Sequence, residues 1–183
     1  MLKLTGTLMI ALVCVMYGFS AADRLRRRRD FLCAFAVSLS ALETEIAFGK
    51  YALGRIFAGL DGKGLFGLYE NCRNNMEQEG IRGAWDKAAR AAADAAGLKA
   101  AELDIIAALS TELGMSDING QKRAIERTRE LVNTAYGAAD EEYKRLGRAY
   151  RGCGICAGIF FVLMPRIFRV GADTFVSVFD FAV

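Results

Sequence analysis

The chain has 183 residues, with 24 basic and 21 acidic side chains, no histidine and a formal net charge of +3. This length allows one modest domain plus membrane segments, and the near balance of charge argues against a nucleic-acid partner. Without histidine, the commonest general base and metal ligand is missing. We find no phosphate-loop motif and no carboxylate cluster at metal spacing, so we expect no catalytic residue, no metal and no cofactor.

The first predicted element is an uncharged apolar run at residues 4–22. As a helix it spans about 28 Å, close to the ~30 Å hydrocarbon core of a bilayer, so we predict a transmembrane helix. Positive flanks stay on the cytoplasmic side, which places the N-terminus outside and the following chain in the cytoplasm. The residues expected to set this topology are Arg24, Arg26, Arg27, Arg28 and Arg29.

The same N-terminal run has a second interpretation, in which it is a cleaved secretory signal. Lys3 would form its basic start, and residues 20–22 (SAA) resemble a small-residue cleavage site. The product would be a secreted helical protein. We favour a retained anchor because the run is longer than a usual signal region and is followed by arginines, which oppose export.

Residues 30–151 alternate amphipathic patterns with glycine stops, and they carry no strand pattern. In the first segment, residues 31–49, apolar side chains recur at steps of three and four, which is typical of a helix with one buried face. We therefore predict an all-α, six-helix cytoplasmic bundle. Its helices are expected at 31–49, 51–60, 65–79, 82–96, 100–113 and from 118 onward.

Two of these helices have distinctive composition. The alanine-rich segment 82–96 carries one large anchor, Trp85, which we expect to be buried. The last helix has an apolar residue at every seventh position from Ile118 to Leu146. Cys33 and Cys72 also fall at apolar positions of their helices.

A second apolar run, at residues 152–164, begins with several glycines. Its ~20 Å of helix is short for a membrane span, so we predict a short membrane segment, with a re-entrant or interfacial helix as the alternative. Its CGIC sequence at 153–156 indicates close helix packing rather than a redox pair. The tail after Pro165 contains a β-prone stretch at 175–179.

This organisation predicts three parts. Residues 1–29 form a membrane anchor with its arginine flank, residues 30–151 form the cytoplasmic bundle, and residues 152–183 form the C-terminal membrane segment and tail. A generic membrane-anchored scaffold has the same layout, so the layout alone does not identify the function.

Several blocks of the sequence resemble the stage III sporulation protein AB family of endospore-forming bacteria. The resemblance covers about residues 1–164, and the tail after Pro165 departs from the family, whose members usually end soon after the second membrane segment. The two most specific blocks are LETEI and LGxSD together. The resembling blocks are residues 1–6 (MLKLTG), 42–49 (LETEIAFG), 84–85 (AW) with Ala88, and 113–117 (LGMSD) with Gln121.

The resemblance implies a bitopic or two-span protein of the mother-cell membrane around the forespore, with its bundle facing the cytoplasm. It implies a soluble part similar to the cytoplasmic domain of the type II secretion platform protein, within a complex linking mother cell and forespore. Expected partners are a cytoplasmic secretion-type ATPase, other membrane components of the complex and the lipid bilayer. The family is not known as an enzyme, and assembly into a homo-oligomer is left open.

The blocks that carry the resemblance also contain candidate partner contacts. Ser116 is a suitable helix N-cap, and Asp117 complements the helix dipole, which together give a purely structural interpretation. The functional alternative is that this polar helix start contacts the partner. The candidate contact residues are Glu43, Glu45, Ser116, Asp117 and Gln121.

Overall fold

The computed structural model describes residues 2–48, 53–60, 62, 64–113 and 118–180. Every regular element in these ranges is helical, so the expected all-α fold class is confirmed. The elements are α1 (Leu2–Phe48), α2 (Leu53–Leu60), α3 (Leu68–Ala96), α4 (Ala100–Ala108), a 3₁₀ turn at Leu109–Thr111, and α5 (Ile118–Asp180).

The chain divides into two compact units. The terminal unit comprises Met1–Asp23 and Lys144–Val183, and the central unit comprises Arg24–Tyr143. Helices α1 and α5 each contribute residues to both units. The domain limits expected from the sequence, 30–151 for the bundle, remain predictions.

The described residues contain five α-helices, and two features account for the difference from the sequence-based helix list. The predicted helices 65–79 and 82–96 lie in one element, α3, in which Gly80 adopts φ 71° and ψ 169° and kinks the helix. This left-handed φ is accessible to glycine at little steric cost. The predicted anchor and the predicted first bundle helix are likewise one element, α1.

The core of the central unit follows the apolar pattern of the sequence. On α5, Ile125, Val132 and Ala139 are buried, which confirms the seven-residue repeat at these positions. The repeat matters because α5 contributes to the core only through this one face. The buried apolar residues that α1 contributes at steps of three and four are Leu32, Phe35, Leu39, Leu42 and Ile46, and Phe31 is buried beside them.

Trp85 lies at the centre of this core and is fully buried. Its ring centroid is 6.4 Å from that of Phe35, 5.9 Å from that of Phe57 and 5.9 Å from that of Tyr69. Its indole Nε1 donates a hydrogen bond of 2.9 Å to the carbonyl of Ile106. The same carbonyl accepts the backbone N–H of Leu109 at the end of α4, and its second lone pair is free for the indole donor. Trp85 therefore packs the core and is also hydrogen-bonded to α4.

Small side chains surround Trp85 on α3. They allow neighbouring helices to approach closely, and α3 packs against α2, α4 and the 3₁₀ turn. Their burial agrees with the alanine-rich pattern of the sequence. The buried alanines of α3 are Ala84, Ala88, Ala89, Ala92, Ala93 and Ala96.

One sequence-based expectation, concerning Cys33, is wrong. Cys33 was assigned to an apolar position, but it is exposed, since it lies beside the buried stripe of α1 rather than in it. Cys72 is buried as expected, and burial raises the pKa of its thiol to about 11. The β-prone stretch at 175–179 is helical, because α5 continues to Asp180.

The residue types that are buried and exposed in the terminal unit differ from those in the central unit. Among its described positions, the buried ones are small: Gly18, Ala22 and Gly147. Large apolar side chains are exposed along α1, including Met16 (71%) and Tyr17 (76%). In the described part of the chain, no helix combines the length and apolar character needed to cross a membrane.

The position of Trp85 leads to a prediction about stability. Trp85→Ala should lower the free energy of unfolding by about 3–5 kcal/mol, because it leaves a large cavity and removes the hydrogen bond to the Ile106 carbonyl. Trp85→Phe should cost less, since an aromatic ring remains. Denaturant unfolding of the full chain in detergent would measure both. As the chain has one tryptophan, blue-shifted emission is expected from the folded wild type, and emission like that of free indole in water would contradict this burial.

Candidate functional site

A buried ion network joins three helices of the central unit. Arg28 on α1 is 4% exposed and Glu102 on α4 is 5% exposed. The guanidinium of Arg28 donates from Nη2 to Glu102 Oε1 at 2.7 Å, and from Nε to both carboxylate oxygens at 3.0 and 2.9 Å. This fork geometry is the strong form of an arginine–carboxylate contact.

The network continues outward to α5. Arg28 Nη1 donates to Glu142 Oε2 at 2.7 Å, and Lys99 Nζ donates to the same oxygen at 2.9 Å. The hydrogen bond from Lys99, followed by that from Arg28, lowers the pKa of the Glu142 carboxyl from its usual range. Glu102 also accepts the backbone N–H of Lys99 at 2.9 Å, which satisfies a donor at the start of α4.

Each charge in this network faces a charge of opposite sign, so two cations and two anions compensate each other. Within the described residues, no buried side-chain nitrogen or oxygen lacks a hydrogen-bond partner. A saturated network of this kind fixes helices in place and offers no free group for acid–base chemistry. The described residues also contain no group of three potential metal ligands.

The five arginines expected to set topology lie in different environments. Arg26 and Arg27 are exposed. Arg24 is also exposed, although its stem lies against the end of α3, where a Cβ at Gly97 would be 2.8 Å from Arg24 Cγ. Arg28 is buried in the central unit and Arg29 lies over the ring of Tyr143, with Cζ 4.5 Å from the centroid. The run of arginines in the sequence does not indicate the structural role of these last two residues.

The predicted partner contacts do not form one cluster in the described residues. Glu43 is half-buried, and its Oε2 accepts a hydrogen bond of 3.3 Å from Nη1 of Arg129 on α5. Gln121 lies eight residues before Arg129, or about 12 Å along the helix axis. Glu45 is exposed. Ser116 and Asp117 lie outside the described residues.

Two surface grooves flank α5 in the central unit. One, of about 430 Å³, lies between α1 and α5 and is lined in part by Cys33, Val37 and Tyr136. The other, of about 520 Å³, lies between α5 and the α4–3₁₀ segment and is lined in part by Arg123 and Arg127. These grooves are concave surfaces on which another protein segment could pack.

Removing the Arg28 guanidinium from the network should lower the free energy of unfolding. Arg28→Met should lower the free energy of unfolding by about 3–5 kcal/mol, because it leaves the Glu102 carboxylate buried without its cation. The matched control, Arg27→Met, removes the same charge from an exposed position and should change stability by less than ~0.5 kcal/mol. Urea unfolding of the full chain would compare them. Equal costs for the two variants would show that Arg28 acts only as surface charge.

The lowered pKa of Glu142 predicts how stability depends on pH. The folded state favours the ionised carboxylate, so this contribution is complete well above the unfolded pKa of ~4.3 and is lost as pH falls through the folded value. Glu142→Gln should therefore be less stable than wild type near neutral pH, and the difference should shrink under acid conditions. Unfolding curves at about pH 6 and about pH 3 would test this, and a difference independent of pH would contradict it.

Comparison with known proteins provides the remaining evidence. The family model for stage III sporulation protein AB matches residues 3–164, a range that includes all four residues of the ion network. Neither the curated proteins nor the solved structures contain a match to the chain. Because the family model covers most of the chain, including the central unit, the chain belongs to the stage III sporulation protein AB family and is a sporulation-related protein.

Proposed function

We propose that this protein is a non-enzymatic membrane platform of a secretion-like complex between mother cell and forespore. Its terminal unit holds it in the mother-cell membrane around the forespore, together with other membrane components of the complex. Its central unit faces the cytoplasm and provides the surface on which a secretion-type ATPase docks. The family membership supports the sporulation context, and the features below support the membrane and docking roles.

The side-chain distribution of the terminal unit is the observation that carries this proposal. In a water-soluble helical protein, large apolar residues are buried and small ones need not be. The terminal unit has the opposite pattern, with Gly18, Ala22 and Gly147 buried and Met9 and Val13 more than half exposed. Small residues inside and large apolar residues outside are typical of helices that pack against each other in lipid.

The exposed arginines support an orientation with the central unit in the cytoplasm. Arg24, Arg26 and Arg27 follow the apolar part of α1 and remain on the surface of the central unit. Basic residues near a membrane contribute on the order of 1 kcal/mol each at an anionic leaflet. They also favour retention of their side of the chain in the cytoplasm.

The central unit has the properties of a rigid docking platform. Its aromatic core and its ion network fix several helices relative to one another within this unit, so its surface is preorganised for a partner. Its most closely arranged charged groups, Arg28, Glu102, Glu142 and Lys99, are used in pairing with each other. This use of charge supports a structural role for the network.

Oriented membrane vesicles would test the proposal. In a variant with Cys14, Cys153 and Cys156 replaced by serine, exposed Cys33 reports the side of the central unit. Cys72 should stay unlabelled, because burial raises its pKa to about 11. We expect a membrane-impermeant maleimide to label Cys33 in inverted vesicles, and the secretion-type ATPase to sediment with these vesicles. In right-side-out vesicles we expect neither result.

Vesicles from cells that lack the protein serve as the control for ATPase sedimentation. Labelling of Cys33 in right-side-out vesicles would contradict the cytoplasmic orientation. Recovery of the protein only in the soluble fraction would contradict the membrane role. Equal sedimentation of the ATPase with control vesicles would contradict the docking role.

A further inference from the structure

The groove between α5 and the α4–3₁₀ segment has the form of a binding site for a helix. Its α5 wall is formed by residues that recur at steps of three and four, so they lie along one face of that helix. They extend over 12 residues, or about 16 Å of helix axis. The α5 residues in this wall are Gly120, Arg123, Ala124, Arg127, Thr128 and Leu131.

Both walls of this groove offer some apolar surface. Leu131, on the α5 wall, is 45% exposed. Ile105, on the opposite wall, and Ala124 line the groove and are half-buried. Partly exposed apolar side chains on two walls give an entering apolar residue a contact surface on two sides.

The edge of the groove carries positive charge. Arg123 and Arg127 are exposed, and among the described residues no carboxylate lies within salt-bridge distance of either. By contrast, Arg129 is bonded to Glu43 on α1. Because both guanidinium groups are exposed, acidic side chains of a partner can pair with them. The opposite wall contributes one carboxylate, Glu112, which has an interaction of its own.

We propose that this groove is the docking site for an amphipathic helix of the cytoplasmic partner. The apolar face of that helix packs on Ile105 and Leu131, and its acidic side chains face Arg123 and Arg127. This inference rests on the proposed function, because it assigns the ATPase-docking surface to a particular place on the central unit. It also moves the site away from Glu43, whose carboxylate is already paired with Arg129.

The test measures binding of the secretion-type ATPase to inverted vesicles that carry the full chain. Arg123→Glu/Arg127→Glu should weaken the affinity at least about tenfold, because it places like charges at the contact. Leu131→Ala should also weaken it, with less dependence on salt. The matched control is Arg82→Glu/Arg90→Glu, which makes the same charge change at two exposed positions of α3. It should bind like the wild type.

Further measurements distinguish the alternatives. The emission spectrum of Trp85 would confirm that each variant is folded. If the wild type binds the ATPase and the groove variants bind equally well, the groove assignment is wrong while the proposed function stands. Loss of binding in Glu45→Arg alone would also refute the groove and favour the surface predicted from the sequence. An equal loss of affinity in the α3 control would show that net charge sets the binding, which would refute the groove assignment. Absence of ATPase binding by the wild type would refute both proposals.

Discussion

The buried pair of Arg28 and Glu102 constrains how the helices around it can pack. Removing two charges from water costs several kcal/mol per ion, which their attraction recovers only when geometry and further hydrogen bonds are good. Here the guanidinium has to reach Glu102 on α4 and Glu142 on α5 at the same time. A shift of α1 along its axis by one residue, about 1.5 Å, would lengthen both contacts at once. The network and the close-packed apolar core therefore constrain the same arrangement of α1, α4 and α5.

The sequence contained information about this network that apolar periodicity alone does not show. Arg28 lies seven residues before Phe35, and Glu102 lies four residues before Ile106, so both charges fall on the buried faces of their helices. At the end of an amphipathic helix, a charge on that face is normally interpreted as the end of the apolar stripe. Only the tertiary structure shows that the charges meet, because 74 residues separate Arg28 from Glu102. The core was predictable because apolar burial depends on local spacing, whereas ion pairing depends on which helices are neighbours.

Helix boundaries show the same distinction between local and tertiary effects. Gly80 was expected to end a helix, and its positive φ does interrupt the regular backbone, but α3 continues beyond it. The alanines that follow it are strong helix formers, and they are held against the core by Trp85. Cys33 was misassigned for a related reason. Its neighbours Leu32 and Phe35 are buried, but successive residues of a helix point about 100° apart, so a residue next to the stripe can lie outside it. The proposed docking groove could not be foreseen, because its two walls come from segments whose packing no local pattern specifies.

The arginine run after the apolar part of α1 divides into two environments that its sequence does not separate. Arg24, Arg26 and Arg27 keep exposed charges. Arg28 is buried, and its charge is compensated by two carboxylates. These carboxylates come from α4 and α5, so residues distant in the sequence hold Arg28 in place. Arg28 therefore fixes the start of the central unit, five residues after Asp23, the last N-terminal residue of the terminal unit. A run of like residues can thus contain both exposed charges and a buried structural one, and only the packing of the helices distinguishes them.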